Sequence, residues 1–312
     1  MDLRETSLGF HRAWHVAVGA RHGLLLALRD APLAPGVLAG ELGLAPEPVA
    51  LWCRGAWALG LLERNARGRF RLRAEHASTL GEPASPEYLG HHFEYLAQKS
   101  LRFGELDALL RGKPTRAPAP ETYALATRYD HLAFFEIYLP RIPTLRAALA
   151  RGIDVLDFGA GEGGWTREAM RRFPASRYVA SDLDTRALRG LRGARVLSAR
   201  KIPPARADLV YLGEVLAAAR KPDEVLGAAY RALRPGGRLV ALEGLLPPEG
   251  RAPRGWGERL VLAMGLDFSL DGSRYLGKEE ALDLVRGAGF ERPGARDLGG
   301  SLFAIAARKP QA

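Results

Sequence analysis

A glycine-rich loop followed by a distant acidic residue is the strongest chemical signal in the sequence. The loop, Asp157 to Gly164, reads Asp-Phe-Gly-Ala-Gly-Glu-Gly-Gly and lies between a strand-like and a helical segment. Glycines let the backbone turn sharply and approach a ligand, and the first helical turn offers free N–H groups. Asp182 ends the next apolar segment, where a carboxylate can accept both hydroxyls of a ribose. The pattern predicts a nucleoside site at the carboxyl edge of a parallel sheet.

Two cofactors are compatible with the glycine spacing. Gly159 and Gly161 combine with Gly164 as G-x-G-x-x-G, the dinucleotide spacing, and with Gly163 as G-x-G-x-G, the spacing of S-adenosylmethionine enzymes. Asp157 separates the two, because an acid at this place suits the methionine ammonium of S-adenosylmethionine and opposes a pyrophosphate. The residues therefore favour S-adenosylmethionine over a nicotinamide dinucleotide.

The segments that position this loop alternate between strand-like and helical patterns. Predicted strands are Ile153–Phe158, Arg177–Ser181, Ala194–Leu197, Asp208–Leu212, Arg238–Leu242 and Ser301–Arg308, and predicted helices include 164–173, 222–233 and Lys278–Gly289. Such alternation predicts an α/β fold with a parallel sheet covered on both faces. A Pro-Gly-Gly junction at 235–237, between helix and strand, is a second feature that favours S-adenosylmethionine.

The first part of the chain has a different pattern. Helices are expected at 10–29, 34–43 and 46–60, followed by a hairpin with strands at 61–63 and 69–73 and by a helical stretch at 86–111. This is the element order of a winged helix. The segment Gly112–Pro120 contains three prolines and is the expected linker. We therefore expect a winged-helix domain at 1–112, a linker with helices roofing the active site at 113–150, and a Rossmann-like catalytic domain at 151–312.

Composition narrows the class of protein. The net charge is +10, but it is spread as +3 over residues 1–150 and +7 over the rest, which argues against a dedicated nucleic-acid surface. The single cysteine, Cys53, excludes an internal disulfide, and no ligand spacing predicts a metal site. No apolar run is long enough to span a membrane, and the first residues do not resemble a secretory signal, so we expect a cytoplasmic protein.

The motifs together resemble the small-molecule O-methyltransferases that join a winged-helix dimerisation domain to a class I S-adenosylmethionine-dependent domain. The matching segments are Leu38–Leu44, Trp57–Leu62, Val155–Gly161, Asp182–Leu183, Ala207–Asp208, Arg234–Gly237 and Gly287–Phe290. The resemblance implies a homodimer that methylates a small molecule. It also implies a set of residues that contact the cofactor: Asp157, Gly159, Gly161, Gly163, Asp182, Leu183 and Ala199.

Two positions depart from the family pattern. The family's Gly-Asp pair, whose acid holds the adenosine, is replaced by Ser198-Ala199, so that contact is absent or made by the backbone of Ala199. O-methylating members also carry a catalytic His followed by Asp-Trp, where this chain has Ala217 and two further alanines. All seven histidines lie at or before His131. The loss argues against simple phenol methylation and leaves a different nucleophile, a different base or non-methylating chemistry.

Candidate replacements for the missing base lie on neighbouring elements. Glu214 follows the strand Asp208–Leu212 and Glu243 ends the next strand, and each has an alternative interpretation as a cofactor-side or surface carboxylate. His131 lies on a predicted helix, Tyr129–Leu139, which roofs the substrate pocket in the family. Three further residues are expected to line a partly apolar substrate pocket: Tyr138, Met264 and Phe268.

Three alternative functions stay open. The first is a non-catalytic or regulatory S-adenosylmethionine-binding dimer, favoured by the three alanines at 217–219. The second is a nucleic-acid protein that uses the hairpin arginines at 64, 67, 69, 71 and 73, although their alternation with Phe70 and Leu72 equally predicts a solvated outer face. The third is a nicotinamide oxidoreductase, against which Asp157 argues.

Overall fold

The chain forms two compact units, Met1–Phe103 and Gly104–Ala312, which are described separately. The structure is a computed structural model that describes residues 2–85, 87–113, 115 and 127–311. The first unit ends ahead of the predicted boundary at residue 112, because the expected helix 86–111 is interrupted after Ser100. Most of the expected linker, and the start of the expected helical stretch 121–150, lie outside the described residues.

Helices and one hairpin build the first unit. In chain order its elements are α1 Leu3–Arg21, α2 Leu24–Ala27, α3 Pro35–Leu42, α4 Pro46–Ala58, β1 Leu62–Arg64, β2 Phe70–Leu72, a 3₁₀ turn Ala74–His76, α5 Ala77–Leu80 and α6 Gly90–Ser100. The predicted helix 10–29 is two helices, because Gly23 adopts a left-handed conformation with φ +73° between them. The predicted order of helices and hairpin is otherwise observed.

The hairpin of the first unit shows why its arginines are solvated. Asn65 closes the turn by accepting the backbone N–H groups of Arg67 and Arg69, each at 3.0 Å. Phe70 and Leu72 are buried in the core of this unit, whereas Arg71 between them is exposed. The predicted alternation of exposed arginine and buried apolar side chains along β2 is therefore confirmed, because Phe70 and Leu72 pack into the core and turn Arg71 towards solvent.

A mainly parallel β-sheet forms the centre of the second unit. Within the described residues it has eight strands, β3 Asp154–Phe158, β4 Arg177–Asp182, β5 Arg195–Ser198, β6 Ala207–Gly213, β7 Leu233–Leu246, β8 Leu276–Gly277, β9 Glu291–Gly299 and β10 Leu302–Arg308. The order is β5-β4-β3-β6-β7-β10-β9, with β8 paired to the end of β7. Strands β3 to β7 are mutually parallel, and β10 is antiparallel to β7 and β9. The predicted α/β fold is thus confirmed.

Helices cover both faces of this sheet. They are α7 Leu106–Leu110, α8 Arg128–Ala133, α9 Pro143–Arg151, α10 Gly164–Arg172, α11 Val215–Ala218, α12 Pro222–Ala232, α13 Gly255–Ser269 and α14 Lys278–Gly287. Helices α12 and α14 pack on one apolar core, and α9 and α10 pack on the other. A π-helical turn, Phe134–Tyr138, follows α8, so the predicted helix Tyr129–Leu139 is not continuous.

The parallel strands set where a ligand site can form. At their amino ends, the Arg234 guanidinium pairs with Asp154 at 2.7 Å and with Asp208 at 2.8 Å, which ties β3, β6 and β7 together. The carboxyl ends of the same strands meet at the opposite edge, and the glycine loop and Asp182 leave from that edge. Ligands of open α/β sheets bind there. No helix in the described part of the chain is long and apolar enough to cross a membrane.

Candidate active site

The glycine loop joins β3 to α10 in a conformation that requires glycine. Gly159, Gly161 and Gly163 have φ values of +82°, +55° and +77°, all left-handed. The backbone N–H groups of Gly159 and Ala160 donate to the carbonyl of Ser181 at 2.8 and 2.9 Å, which fixes the loop to the end of β4. A β-carbon on Gly159 would lie 2.6 Å from a methyl of Val215. The loop is therefore held close to the end of β4 and to the start of α11.

Asp182 also holds the loop. Its Oδ2 accepts the backbone N–H of Gly161 at 2.9 Å, and its Oδ1 accepts that of Asp184 at 3.0 Å. The predicted ribose acid thus lies at the glycine loop, as the strand order requires. Its neighbour Leu183 is exposed, and Ala199 lies in a 3₁₀ turn, Ala199–Lys201, after β5. The predicted cofactor residues therefore surround one edge of the sheet, and their contacts with a ligand stay a prediction.

Asp157 lies deeper than the sequence suggested. The residue is 3% exposed, and the hydroxyl of Thr166 on α10 donates to its carboxylate at 2.5 Å. Burial raises the pKa of Asp157 to about 7, the Thr166 hydrogen bond opposes the rise, and the charge of Asp182 adds to it. Thr166 was not among the predicted residues. Its position nine residues after Asp157, on the helix that the loop opens, is the signal that could have identified it.

Glu214 occupies a strained turn at the end of β6. Its φ of +54° is left-handed, a conformation that costs a residue with a side chain about 1–2 kcal/mol. Its backbone N–H donates to the carbonyl of Leu242 at 2.8 Å, and its Oε1 accepts the N–H of Gly244 at 2.6 Å. Its Oε2 is buried and has no hydrogen-bond partner among the described residues. Burial raises the pKa of Glu214 to about 7, which the Gly244 hydrogen bond counteracts.

Glu243, the other carboxylate considered as a base, caps a helix. Its Oε1 accepts the N–H groups of Val215 and Leu216 at 3.0 and 2.8 Å, and its Oε2 accepts that of Ala217 at 3.1 Å. These are the free donors of the first turn of α11, so this side chain is committed to positioning that helix. Burial and the charge of Glu214 raise the pKa of Glu243, and the three backbone hydrogen bonds lower it.

Asp130 joins this group of carboxylates, although the sequence did not single it out. It is 9% exposed on α8, and burial together with the charges of Glu214 and Glu243 raises its pKa well above the usual range. An acid directly ahead of an apolar, aromatic stretch was the available signal. The topology that brings α8 over the ends of β6 and β7 was not visible in the sequence.

Two aromatic polar atoms beside these acids are buried without partners. Trp165 and Tyr211 stack with ring centroids 4.1 Å apart and an angle of 8° between the rings, and each is 1% exposed. The Trp165 Nε1 and the Tyr211 hydroxyl have no hydrogen-bond partner among the described residues. Burial, with the charges of Asp157, Asp130, Glu214 and Glu243, raises the pKa of Tyr211. The Tyr211 hydroxyl thus lies within the electrostatic reach of all four acids.

An apolar cluster adjoins Glu214. Ala217 packs with Val261 and Tyr275, and Met264 and Phe268 of α13 pack against them. The Phe268 and Tyr275 rings stack at 4.4 Å. Met264 and Phe268 therefore lie beside Ala217, and their role in lining a substrate pocket stays a prediction. Tyr275, in the turn before β8, was not among the predicted residues.

His131 and Tyr138 are separated from this cluster. His131 lies against Gly164 at the start of α10, where a β-carbon would be 3.2 Å from its Nδ1. Burial and the charge of Arg128 lower the pKa of His131 to about 4, so its ring is neutral and a poor proton acceptor at pH 7. Tyr138 is 3% exposed in the core, and the charges of Arg238 and Arg296 act against the rise in its pKa that burial causes. Arg238 follows the amino-end junction of β7, so Tyr138 faces away from the site.

Comparison with known proteins agrees with this geometry. Residues 156–239 match the family described as a methyltransferase domain. Rat acetylserotonin O-methyltransferase is 32% identical over 177 residues, which cover 52% of this chain and only 39% of the rat protein. The bovine acetylserotonin O-methyltransferase is 25% identical over 342 residues, covering 98% of this chain and 97% of that protein. A structure of human N-acetylserotonin methyltransferase in complex with S-adenosylmethionine has a TM-score of 0.70 at 22% identity, covering 99% of this chain and 97% of that one.

The fold, the glycine loop and these matches define the class: the protein is an S-adenosylmethionine-dependent methyltransferase. Residues 156–239 match the methyltransferase domain family, and the similarity to the bovine O-methyltransferase extends over 98% of the chain. The family resemblance of the sequence motifs is therefore confirmed.

The residues at the sheet edge fit this cofactor. S-adenosylmethionine carries a positive sulfonium and a positive ammonium, and buried acids require a compensating charge. The buried carboxylate of Asp157, next to the glycine loop, is an acid that such a positive charge would compensate. Trp165 Nε1 and Tyr211 Oη are buried polar atoms without a hydrogen-bond partner in the described part of the chain, and a ligand could supply one.

Proposed function

We propose that this methyltransferase acts on a small, partly apolar acceptor bound between Ala217, Met264 and Phe268, with Glu214 as the group that removes its proton. The observation that carries the proposal is the buried, unpartnered Oε2 of Glu214 beside this apolar cluster. A deprotonating group must lie within hydrogen-bond reach of the proton that it removes. Glu214 Oε2 is a carboxylate oxygen that is buried and has no hydrogen-bond partner among the described residues.

The cofactor's place is part of the proposal. Asp182 and the backbone of Gly159, Gly161 and Gly163 would hold the nucleoside and the start of the methionine, with Leu183 and Ala199 beside the adenine. When bound, S-adenosylmethionine supplies an electrophilic methyl group on a positively charged sulfur. The chain's own residues position the acceptor, accept its proton and exclude water, and positioning alone supplies much of the acceleration of such a displacement.

The absence of an imidazole at residue 217 limits the acceptor. Ala217 is 1% exposed and lies against Val261 and Tyr275, and Glu243 holds its backbone N–H. General-base help adds about 10²–10⁴-fold, and a phenol needs it most at neutral pH. Amines, thiols and activated carbons depend less on such help than phenols do, so they are the acceptors for which the loss of the imidazole matters least. A non-catalytic S-adenosylmethionine-binding protein is the alternative, supported by Ala217 itself.

We also propose a homodimer in the cytoplasm. Support for the dimer comes from the family resemblance and from apolar side chains on α1 that are exposed within the first unit. They are Leu3, Leu8 and Phe10, which are 72%, 44% and 54% exposed. Leu3 and Phe10 are seven residues apart and so lie on one face of α1, and an exposed apolar patch on one face is typical of a protein–protein contact.

Calorimetric titration tests the cofactor site. We expect S-adenosylmethionine and S-adenosylhomocysteine to bind the purified chain, and Asp182→Ala to lose that binding because the variant frees both the ribose contact and the Gly161 N–H. Asp184→Ala is the matched control, since Asp184 caps the next 3₁₀ turn and is not assigned to the cofactor. NADH should give no heat. Folded protein that binds neither adenosyl ligand would contradict the proposal, and binding of NADH alone would favour the oxidoreductase alternative.

A further inference from the structure

The buried acids of the site divide into two groups. The charge that acts on Asp157 is that of Asp182, next to the glycine loop. The charges that act on Asp130 are those of Glu214 and Glu243, next to the apolar cluster of Ala217, Met264 and Phe268. Among the described residues with a shifted pKa, Tyr211 is the one whose pKa is raised both by Asp157 of the first group and by Asp130, Glu214 and Glu243 of the second. The first group therefore faces the cofactor, and the second faces the proposed acceptor.

Some buried oxygen atoms in and beside the second group have no hydrogen-bond partner among the described residues. Glu243 uses both oxygens on the first turn of α11, and Glu214 uses Oε1 on Gly244. The Glu214 Oε2 and the hydroxyl of Tyr211, a residue 1% exposed, are buried and have no partner among the described residues. A buried carboxylate oxygen without a donor is costly, so a ligand that donates a hydrogen bond suits this place, and a positive charge on that donor would stabilise the ionised carboxylates.

The walls beside these acceptors suit the same ligand. Phe268 and Tyr275 stack on each other next to Glu214, and Met264 packs against them. An organic ammonium is attracted both by carboxylates and by the faces of aromatic rings. Its carbon skeleton would be buried by the side chains at 264, 268 and 275.

Tyr275 shows what the same surroundings do to a phenol. Burial and the negative charge of Glu214, with further contributions from Asp267, Asp130 and Glu243, raise the pKa of its hydroxyl. A phenolic acceptor at this place would be kept protonated in the same way, and a protonated phenol is a poor nucleophile. The same charges also favour the ammonium form of an amine, but one proton transfer to Glu214 leaves a neutral nitrogen that is already a competent nucleophile, whereas a phenol must become an anion.

From this geometry we propose that the acceptor is an apolar amine, bound as its ammonium by Asp130 and Glu214 and deprotonated at Glu214 Oε2. The inference rests on the proposed function and names its substrate class. One N–H proton passes to the Glu214 carboxylate, and the freed nitrogen lone pair then forms a bond to the methyl carbon. The carbon–sulfur bond breaks with its electron pair on sulfur. The products are the N-methylated amine, with its positive charge on nitrogen, and the neutral sulfide S-adenosylhomocysteine.

A binding comparison tests the inference without requiring turnover. The protein is first saturated with S-adenosylhomocysteine, and calorimetry then measures the affinity of arylalkylamines of one to three rings, such as 2-phenylethylamine. For each amine, the alcohol and the phenol of the same shape are measured in parallel. We expect the amines to bind about tenfold tighter or more than their isosteres, as a buried charge pair requires. Glu214→Gln and Asp130→Asn should each reduce this preference, whereas Glu249→Gln, at an exposed position, should leave it unchanged.

The possible results separate the amine inference from the proposed methyl transfer on which it rests. Retention of S-adenosylhomocysteine with equal or tighter binding of the alcohols or phenols, or with no binding of any amine, overturns the amine inference and leaves the proposed methyl transfer standing. A preference for amines that survives in Glu214→Gln also overturns it, because Glu214 would not be the recognising group. Failure of the unmodified protein to bind S-adenosylhomocysteine overturns both.

Discussion

Replacement of Gly159 by alanine tests whether the glycine loop is shaped by the chain itself. Gly159 has φ +82°, and an added β-carbon would lie 2.6 and 3.1 Å from the two methyl carbons of Val215. Gly161, two residues on, is the internal control: its φ of +55° is also left-handed, but nothing lies within 4 Å of its added β-carbon. The two substitutions therefore share backbone strain, and Gly159→Ala alone adds a steric conflict.

The expected magnitudes follow from these two causes. A left-handed conformation costs a residue with a β-carbon about 1–2 kcal/mol, so Gly161→Ala should lower the free energy of unfolding by about that amount. Overpacking costs a further ~1–3 kcal/mol, so Gly159→Ala should lower it by about 2–5 kcal/mol. Val215→Ala should relieve most of the additional loss when it is combined with Gly159→Ala.

The measurement is denaturant unfolding of the ligand-free protein. Without ligand, the loss of cofactor contacts in a variant does not contribute to the measured free energy of unfolding. The four proteins of the cycle are the unmodified chain, Gly159→Ala, Val215→Ala and the double variant, and we expect a favourable coupling of about 1–3 kcal/mol. Equal losses for Gly159→Ala and Gly161→Ala, or no coupling to Val215, would refute the packing of the loop against α11 described above.

Two further predictions concern the buried acids. Burial raises the folded-state pKa of Asp157 to about 7, whereas an unfolded aspartate ionises near about 3.9. Between these values the folded chain binds more protons than the unfolded one. The Asp157 contribution is therefore fully present below about pH 4 and is lost as the pH rises towards 7, by at most ~4 kcal/mol. Asp157→Asn, which can still accept the Thr166 hydroxyl, should flatten this dependence in urea unfolding at pH 5 and pH 7, and an unchanged slope would contradict the burial of its charge. Glu243→Ala leaves the three N–H groups of α11 without their acceptor and should lower the unfolding free energy by about 3 kcal/mol or more. The exposed control Glu249→Ala should stay within about 0.5 kcal/mol, and a Glu243→Ala variant as stable as that control would show that α11 does not need this cap.

The parts of the fold that the sequence predicted depend on local patterns. Left-handed glycines, an acid at a strand end and alternating apolar segments act over a few residues, so Gly159, Gly161 and Asp182 were identifiable. Strand β9, Glu291–Gly299, was missed because it contains proline, glycine and four charged residues, and an edge strand with one neighbour tolerates them. Strand β7 is longer than Arg238–Leu242, since its pairing with β6 and β8 extends it at both ends.

The parts of the site that the sequence did not predict depend on long-range packing. Asp130 and Tyr275 reach Glu214 from α8 and from the turn before β8, and neither sequence neighbourhood contains a motif. The Tyr211 hydroxyl is buried without a hydrogen-bond partner among the described residues. This depends on side chains from several distant segments, so no spacing of residues in the sequence predicts it. Tyr138 was placed in the pocket by analogy, and the π-helical turn that follows α8 positions it in the core instead.

The division of the acids on either side of Tyr211 gives the catalytic cycle a direction. In the proposed reaction of a bound ammonium, the sulfonium charge is lost on the cofactor side, and the transferred proton neutralises Glu214 on the acceptor side, so the charge balance shifts from one carboxylate group towards the other. In that proposal the spent cofactor lacks the sulfonium charge, so the nearby carboxylates, Asp157 among them, would attract it less strongly than they attract fresh cofactor. The methylated product would keep its own charge, but it would lie beside a Glu214 that the transferred proton has neutralised, and Glu214 would have to release that proton before the next ammonium binds.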